Sequence, residues 1–297
     1  MTLDLTGKTV SALGADPVVI LAIGSRGFSQ MKLRVDGQDV SPDPVFAALA
    51  AAHRRRIHRT PGGLNELRFA PREIYTHRLG STDTCLLSGV MTDYAAWVAA
   101  KELWGQLSHN ERFVKCQGGL RILRPHGIGV SSTVVCSDGR FLLFRRSSAL
   151  SWYPDHWGGV AEGASIGDVA MGEEGLPEWD PVVTATRGLL EEVGLASMEM
   201  NWVIHSVVAD VATGALSVLA RAEVPFTSEE VFAKWAVAKD ADEASSVRPV
   251  AWELGTFSGF SEQFRPLVPA DAFALVGALA LDTGWDLCIR NGWLRLL

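Results

Sequence analysis

The sequence has little of what marks several common protein classes. Its four cysteines, Cys85, Cys116, Cys136 and Cys288, are far apart and form no Cys-x-x-Cys pair. That spacing excludes a zinc knuckle, and a chain of 297 residues does not need disulfides to make a core. Reduced thiols and a cytoplasmic setting are the expectation. The start, Met1-Thr2-Leu3-Asp4, has neither the basic opening nor the apolar stretch of a signal peptide. No apolar run reaches bilayer length: residues 18–23 fit a strand, and residues 272–281 are too few to span. No membrane partner is expected. Excess positive charge is also missing. The net charge is −7, and the one basic cluster, Arg54, Arg55 and Arg56 with Arg59, reads as a solvated helix end. A duplex-binding protein needs a basic face, so nucleic acid is excluded as the main partner. There is no internal repeat and no low-complexity tract. What remains, 47% hydrophobic and 21% charged, is the profile of a folded globular chain with room for two modest domains.

The first part reads as a small α+β unit. Residues 18–23 are a strand, followed by a turn at Gly24-Ser25-Arg26-Gly27. Residues 44–58 form an alanine-rich helix, broken by Thr60-Pro61-Gly62-Gly63. Two short strands follow at 66–69 and 74–79, and Thr92-Asp93-Tyr94 opens a helix through Trp104.

The character changes near Pro125, which sets a division into residues 1–125 and 126–297. Residues 128–136 and 141–145 are strands joined by Ser137-Asp138-Gly139, a hairpin signal. A glycine-rich stretch, His156-Trp157-Gly158-Gly159-Val160-Ala161-Glu162-Gly163, leads into a loop of acidic and small residues reaching Trp179. Asp180-Pro181 is a strong helix start, and Gly194 a natural stop after Val193. Strands at 202–210 and 216–224, a helix at about 228–237, a strand at 247–254 and a last helix at about 270–281 complete the chain.

The chemistry concentrates in Arg187-Gly188-Leu189-Leu190-Glu191-Glu192-Val193-Gly194-Leu195. Helical spacing places Val182, Thr186, Leu189 and Val193 on one apolar face and positions 188, 191, 192 and 195 largely on the other. Glu191 and Glu192 then project together near the helix end. Like charges this close call for a positive partner, and a hard cation with oxygen ligands is the simplest. Gly158 and Gly159 allow backbone carbonyls to approach it, because no side chain intervenes.

Residues 159–195 resemble the Nudix box, G-x5-E-x7-R-E-U-x-E-E-x-G-U with U a bulky aliphatic residue. Arg187, Leu189, Glu191, Glu192, Gly194 and Leu195 match its second half, and Gly158 to Glu162 its usual opening. The resemblance covers about residues 126–260. It implies a mixed, curved sheet between helices, preceded here by a smaller α+β domain. It also implies magnesium, with manganese as substitute, held by Glu191, Glu192 and the Gly159 carbonyl. The sequence departs from the pattern in three ways. Gly188 replaces the first helix glutamate, Ser165 replaces the glutamate of G-x5-E, and about fourteen extra residues lie near 163–180. Glu173, Glu174 and Glu178 in that insertion, and Asp242 and Glu243 before the strand at 247, are candidate replacement acids; Glu243 is favoured.

The layout resembles the two-domain Nudix branch that cleaves UDP-sugars. It implies a small-molecule nucleoside diphosphate derivative as partner, cut into a nucleoside monophosphate and a phosphorylated group. Arg145 and Arg146 alternate along a strand, so one of them can face a diphosphate. His156 and Gly158 are further substrate-contact candidates, and Arg187 is an anchor for the loop through Glu162 or a carbonyl. Trp152, Tyr153, Trp179 and Trp252 either stack on a base or pack. Two other readings stand beside the hydrolase: a catalytically impaired nucleotide-binding protein, and a Nudix fold repurposed for a specialised-metabolite diphosphate.

Overall fold

The computed structural model describes residues 5–38, 43–59, 66–79, 82–123, 127–172, 175–196, 200–257 and 260–297. The expected break at 60–63, Pro125, Glu173 and Glu174 lie outside the described residues.

In chain order, the first part holds β1 (Thr9–Ala12), β2 (Val18–Gln38), α1 (Pro44–Arg59), β3 (Leu67–Leu79), β4 (Thr82–Asp93), α2 (Tyr94–Gln106), α3 (His109–Gln117) and α4 (Leu120–Leu123). The middle holds β5 (Ile128–Val135), β6 (Arg140–Arg146), β7 (Trp157–Gly158), β8 (Val160–Gly163), β9 (Val169–Met171), β10 (Pro177–Trp179) and α5 (Pro181–Val193). After these come β11 (Asn201–Asp210), β12 (Leu216–Glu223), α6 (Ser228–Trp235), β13 (Ala244–Ala251), α7 (Phe260–Gln263), α8 (Pro269–Thr283), α9 (Trp285–Arg290) and β14 (Leu294–Leu296).

The strands form one mixed sheet with the central order β13-β6-β5-β12-β11-β2-β1-β14. The β5–β12 and β2–β4 pairs are parallel, and the other named pairs are antiparallel. Side-chain alternation splits the core across the sheet. Phe141 and Leu143 of β6 pack with α8, while Leu142 and Phe144 pack with Leu189 and Val193 of α5. The sheet is therefore held between helices, as the Nudix-like pattern implies.

Several local expectations change. The strand starting at Val18 does not stop at a turn over residues 24–27 but continues to Gln38. Its pairing with β11 shifts register there, and Gly27 takes φ +86°. The four residues form an irregularity that bends one long strand. The first half of β2 pairs with β11, and the second half pairs with β4 and β10. One sheet thus runs across the division expected near residue 125, and β14 at the C-terminal end closes on β1. The two strands expected at 66–69 and 74–79 are one strand, β3, with an irregularity between Pro71 and Glu73. The stretch before Trp179 is not wholly a loop. β9 and β10 pair with each other, and Glu178 and Trp179 of β10 lie opposite Arg34 and Leu33 of β2.

The α5 boundaries follow the chain's own signals. Asp180 caps Val182 N at 2.8 Å, Pro181 occupies the first turn, and Gly194 ends the helix at φ +72°. Asp93 caps α2 in the same manner, accepting from Ala96 N at 2.8 Å. All four cysteines are buried and free. Among the described residues no helix is long and apolar enough to cross a membrane.

Candidate functional site

The glycine bend and α5 do come together, but not as the helical wheel implies. Gly188 faces inward: it is buried, and a Cβ there would lie 2.8 Å from Glu162 Cβ and 3.6 Å from Val160 Cγ1. The helix approaches β8 so closely that the Glu162 side chain crosses the place where a side chain at 188 would begin. Position 188 belongs to the buried face, as does Leu195, because α5 is covered by β8 as well as by β5 and α6.

The neighbouring acids diverge. Glu191 turns outward and meets Lys239 Nζ at 2.9 Å and Arg187 Nη1 at 3.5 Å. Glu192 turns inward. Among the described residues it forms no salt bridge. Burial pushes its carboxyl well above the usual range, and the charges of Glu243, Glu162 and Asp271 push the same way, with Arg146 opposing. Glu162, Glu243 and Asp271 are each raised too, in every case first by burial. Glu243 sits in a short 3-10 turn at Ala241–Glu243 and is fixed by its backbone carbonyl, which accepts from Ser147 N at 2.8 Å.

Arg187 is the mechanical centre of the box. It donates to Asp168 through Nε and Nη2, both at 3.0 Å, and to the Gly163 carbonyl at 2.8 Å, and it pairs with Glu162 at 3.2 Å. This bidentate grip holds the glycine loop to α5. Asp168 is buried, and its hydrogen bonds to Arg187, Thr184 and Ser165 N outweigh burial and lower its pKa. The insertion therefore supplies the acid that the position of Ser165 lacks. Its signal was present in the chain: Ser165-x-x-Asp168 is a capping-box spacing, and Asp168 accepts from Ser165 N at 2.9 Å.

Asp271 is the site acid that the sequence reading missed. It stands in the first turn of α8, 5% exposed, accepting from Ser131 Oγ and from Gly159 N, the latter at 3.1 Å. A Cβ at Gly158 would overlap its Oδ2. Gly158 is therefore required by a carboxylate from the far end of the chain. An aspartate in a first helical turn is ordinary, so nothing in the sequence singled it out.

A cleft of about 250 Å³ opens beside this bend. Arg146, Glu162, Ser131 and Asp271 line it together with Tyr94, Trp97, Trp152 and Tyr153. Of the two strand arginines only Arg146 lines it; Arg145 points to Asp155, 3.7 Å away. His156 stands outside the lining, its Nδ1 2.8 Å from the Pro154 carbonyl. The aromatic candidates also separate. Trp179 is fully buried and donates to Thr184 at 2.7 Å, and Trp252 packs edge-on against Phe141. Glu178 is paired with Lys32 at 2.8 Å, away from the cleft.

Part of the chain is similar to solved Nudix structures. The Nudix domain of Shewanella oneidensis NrtR, solved with ADP ribose, is 15% identical at TM-score 0.34, covering 51% of this chain and 84% of that one. The MutT protein of Methanosarcina mazei is 15% identical at TM-score 0.27, covering 46% and 91%. The ORF135 protein of E. coli is 20% identical at TM-score 0.30, covering 54% and 92%. No family model matches the chain, and no curated protein matches it.

Whether the residues present suit a divalent metal is a matter of donors and room. All the candidates are hard oxygen donors, but the Asp271 carboxylate already lies against the glycine bend, over Gly158 and on the Gly159 amide. Among the described residues no three His, Cys, Asp or Glu side chains are gathered into a metal-holding group. Of the acids Glu162, Glu192, Glu243 and Asp271, only Glu162 and Asp271 line the cleft.

Proposed function

We propose that this protein is a metal-dependent hydrolase of a nucleoside diphosphate-linked substrate of the UDP-sugar kind, cleaving the diphosphate into a nucleoside monophosphate and a phosphorylated group. The observation that carries the reading is Glu192. Among the described residues it is a carboxylate without a salt bridge, its pKa raised first by burial and then by the charges of Glu243, Glu162 and Asp271. Acids arranged this way repel one another unless a cation arrives. Magnesium, or manganese in its place, would be held by Glu192 and the Gly159 carbonyl, with Glu162 or Glu243 drawn in. Such an ion polarises a phosphoryl oxygen and lowers the pKa of bound water.

The chain's own residues do the rest. Arg146 lines the cleft and would offer a guanidinium to a diphosphate oxygen. Arg187, through Asp168 and Gly163, fixes the glycine loop against α5. Asp271 holds the Gly159 amide and so sets the orientation of the bend. Glu243 is the residue assigned to take a proton in this reading; burial raises its carboxyl above the usual range.

The test is turnover of UDP-glucose and related diphosphates with magnesium or manganese, followed as nucleoside monophosphate release. Glu192→Gln is expected to abolish it. A second reading, a catalytically impaired nucleotide-binding protein, draws on Glu191, whose charge is already met by Lys239 and Arg187. Ligand binding without turnover across the panel would favour that reading and refute the first.

A further inference from the structure

The cleft beside the glycine bend has a wall that the hydrolytic reading leaves unused. Tyr94 and Trp97 of α2 stack with centroids 5.4 Å apart and planes 24° apart, and Trp97 meets Trp152 at 5.6 Å and 34°. All three are partly exposed and line the same cleft as Arg146 and Asp271. We infer that this aromatic row seats the planar base of the substrate, with the diphosphate running from it to the glycine bend. The inference rests on the reading above and adds where the nucleoside end binds and how it is recognised.

The row is built to stay in place. Lys101 lies over Trp152 at 4.6 Å and over Trp97 at 5.6 Å, and its Nζ donates to the Ser151 carbonyl at 3.2 Å. Arg146 Nε donates to the Trp152 carbonyl at 3.0 Å. Tyr153 donates its hydroxyl to the buried Asp210. Tyr153 and Asp155 hold left-handed backbones at φ +46° and +61°, a cost that non-glycine residues bear only where neighbours over-determine the loop. At Gly127 a Cβ would lie 2.8 Å from Trp97 Cδ1, so a glycine there leaves the indole its position.

The geometry also limits how a base is read. The three rings already touch, so a ligand ring lies against the row and does not enter between its members. Asp210, which lines the cleft beside Tyr153, accepts from Tyr153, from Ala212 N at 2.8 Å and from the Thr213 hydroxyl and amide, and has little capacity left for a base edge. The row itself offers ring faces, while Arg68, over Tyr94 at 5.8 Å, and Ser217 line the same cleft as further polar groups. Every base has a π-face, so stacking tolerates base identity, and uracil and adenine are both accepted. The α2 segment, from the part of the chain before the Nudix-like box, thus completes the site.

Calorimetric titration of the full chain tests this without turnover, in EDTA and again with calcium, using UDP, ADP and inorganic diphosphate. UDP and ADP are expected to bind within a few-fold of each other and about tenfold or more tighter than diphosphate, the scale of one stacked base. Trp97→Ala should erase that margin and leave diphosphate binding unchanged, while Trp97→Phe keeps most of it. Gly127→Ala, which pushes the indole aside without removing it, should reduce the margin and so serves if Trp97→Ala does not fold. UDP binding no tighter than diphosphate, or a margin that survives Trp97→Ala or Gly127→Ala, overturns the inference while the hydrolytic reading stands. Absence of binding by all three ligands overturns both.

Discussion

Replacing Gly188 by alanine sets two known effects against each other. In a helix interior the change gains about 1 kcal/mol, since glycine is the more costly residue to order. Against it stands the 2.8 Å approach to Glu162 Cβ. That atom is bonded directly to the β8 backbone and cannot rotate away, so the new methyl moves α5 or the strand. Overpacking of this kind costs about 1–3 kcal/mol, and the rigid contact places it in the upper half. The net expectation is a loss of about 1–2 kcal/mol, read as a fall in melting temperature of roughly 2–5 °C. The decisive comparison is a double-mutant cycle by thermal and urea unfolding. In a Glu162→Gly background the obstacle is gone, so Gly188→Ala should turn neutral or stabilising, a coupling of about 2 kcal/mol. A Gly188→Ala protein that melts with or above the parent would refute the argument. So would equal effects in both backgrounds. Gly188→Glu meets the same obstacle and is not expected to restore a catalytic acid alone.

Arg187→Met should destabilise by about 3 kcal/mol, because Asp168 stays buried without its partner; adding Asp168→Asn should recover part of the loss in urea unfolding, and no recovery would argue against the pair. His205, fully buried, has its pKa pushed down to about 3 by burial and then by the Arg221 charge. Its folded value is below the unfolded one of about 6.5, so the unfolded chain binds the extra proton. Stability is then fully present above about pH 6.5 and falls by up to about 1.4 kcal/mol per pH unit below it; His205→Gln should flatten that slope in unfolding measured against pH. Asp168 acts lower on the scale. Its lowered pKa means that its contribution is present above about pH 3.9 and is lost only as the pH falls further. Asp180→Ala should cost about 1 kcal/mol through the lost N-cap, seen as a shifted urea midpoint at unchanged slope.

The sequence by itself determined the elements whose signals are local. Asp180-Pro181 and Gly194 fix both ends of α5, Asp93 starts α2, and Asp138-Gly139 turns β5 into β6, because caps and turns are short-range chemistry. The Arg187 anchor to Glu162 and a loop carbonyl was legible for the same reason, as part of a spaced motif. Tertiary structure decided whatever depends on distant partners. The helical period places Gly188 outward, yet the approach of β8 leaves no room there for a Cβ without a shift. Glu191 and Glu192 are adjacent in sequence but separate, because Lys239 meets the first and burial beside Glu162 and Glu243 takes the second. Asp271 is more than a hundred residues from the glycine bend that it occupies, and β2 reveals its double pairing only when β4 and β11 are both present. Local free energies are written along the chain, whereas burial and charge at the site are sums over residues that only folding brings together.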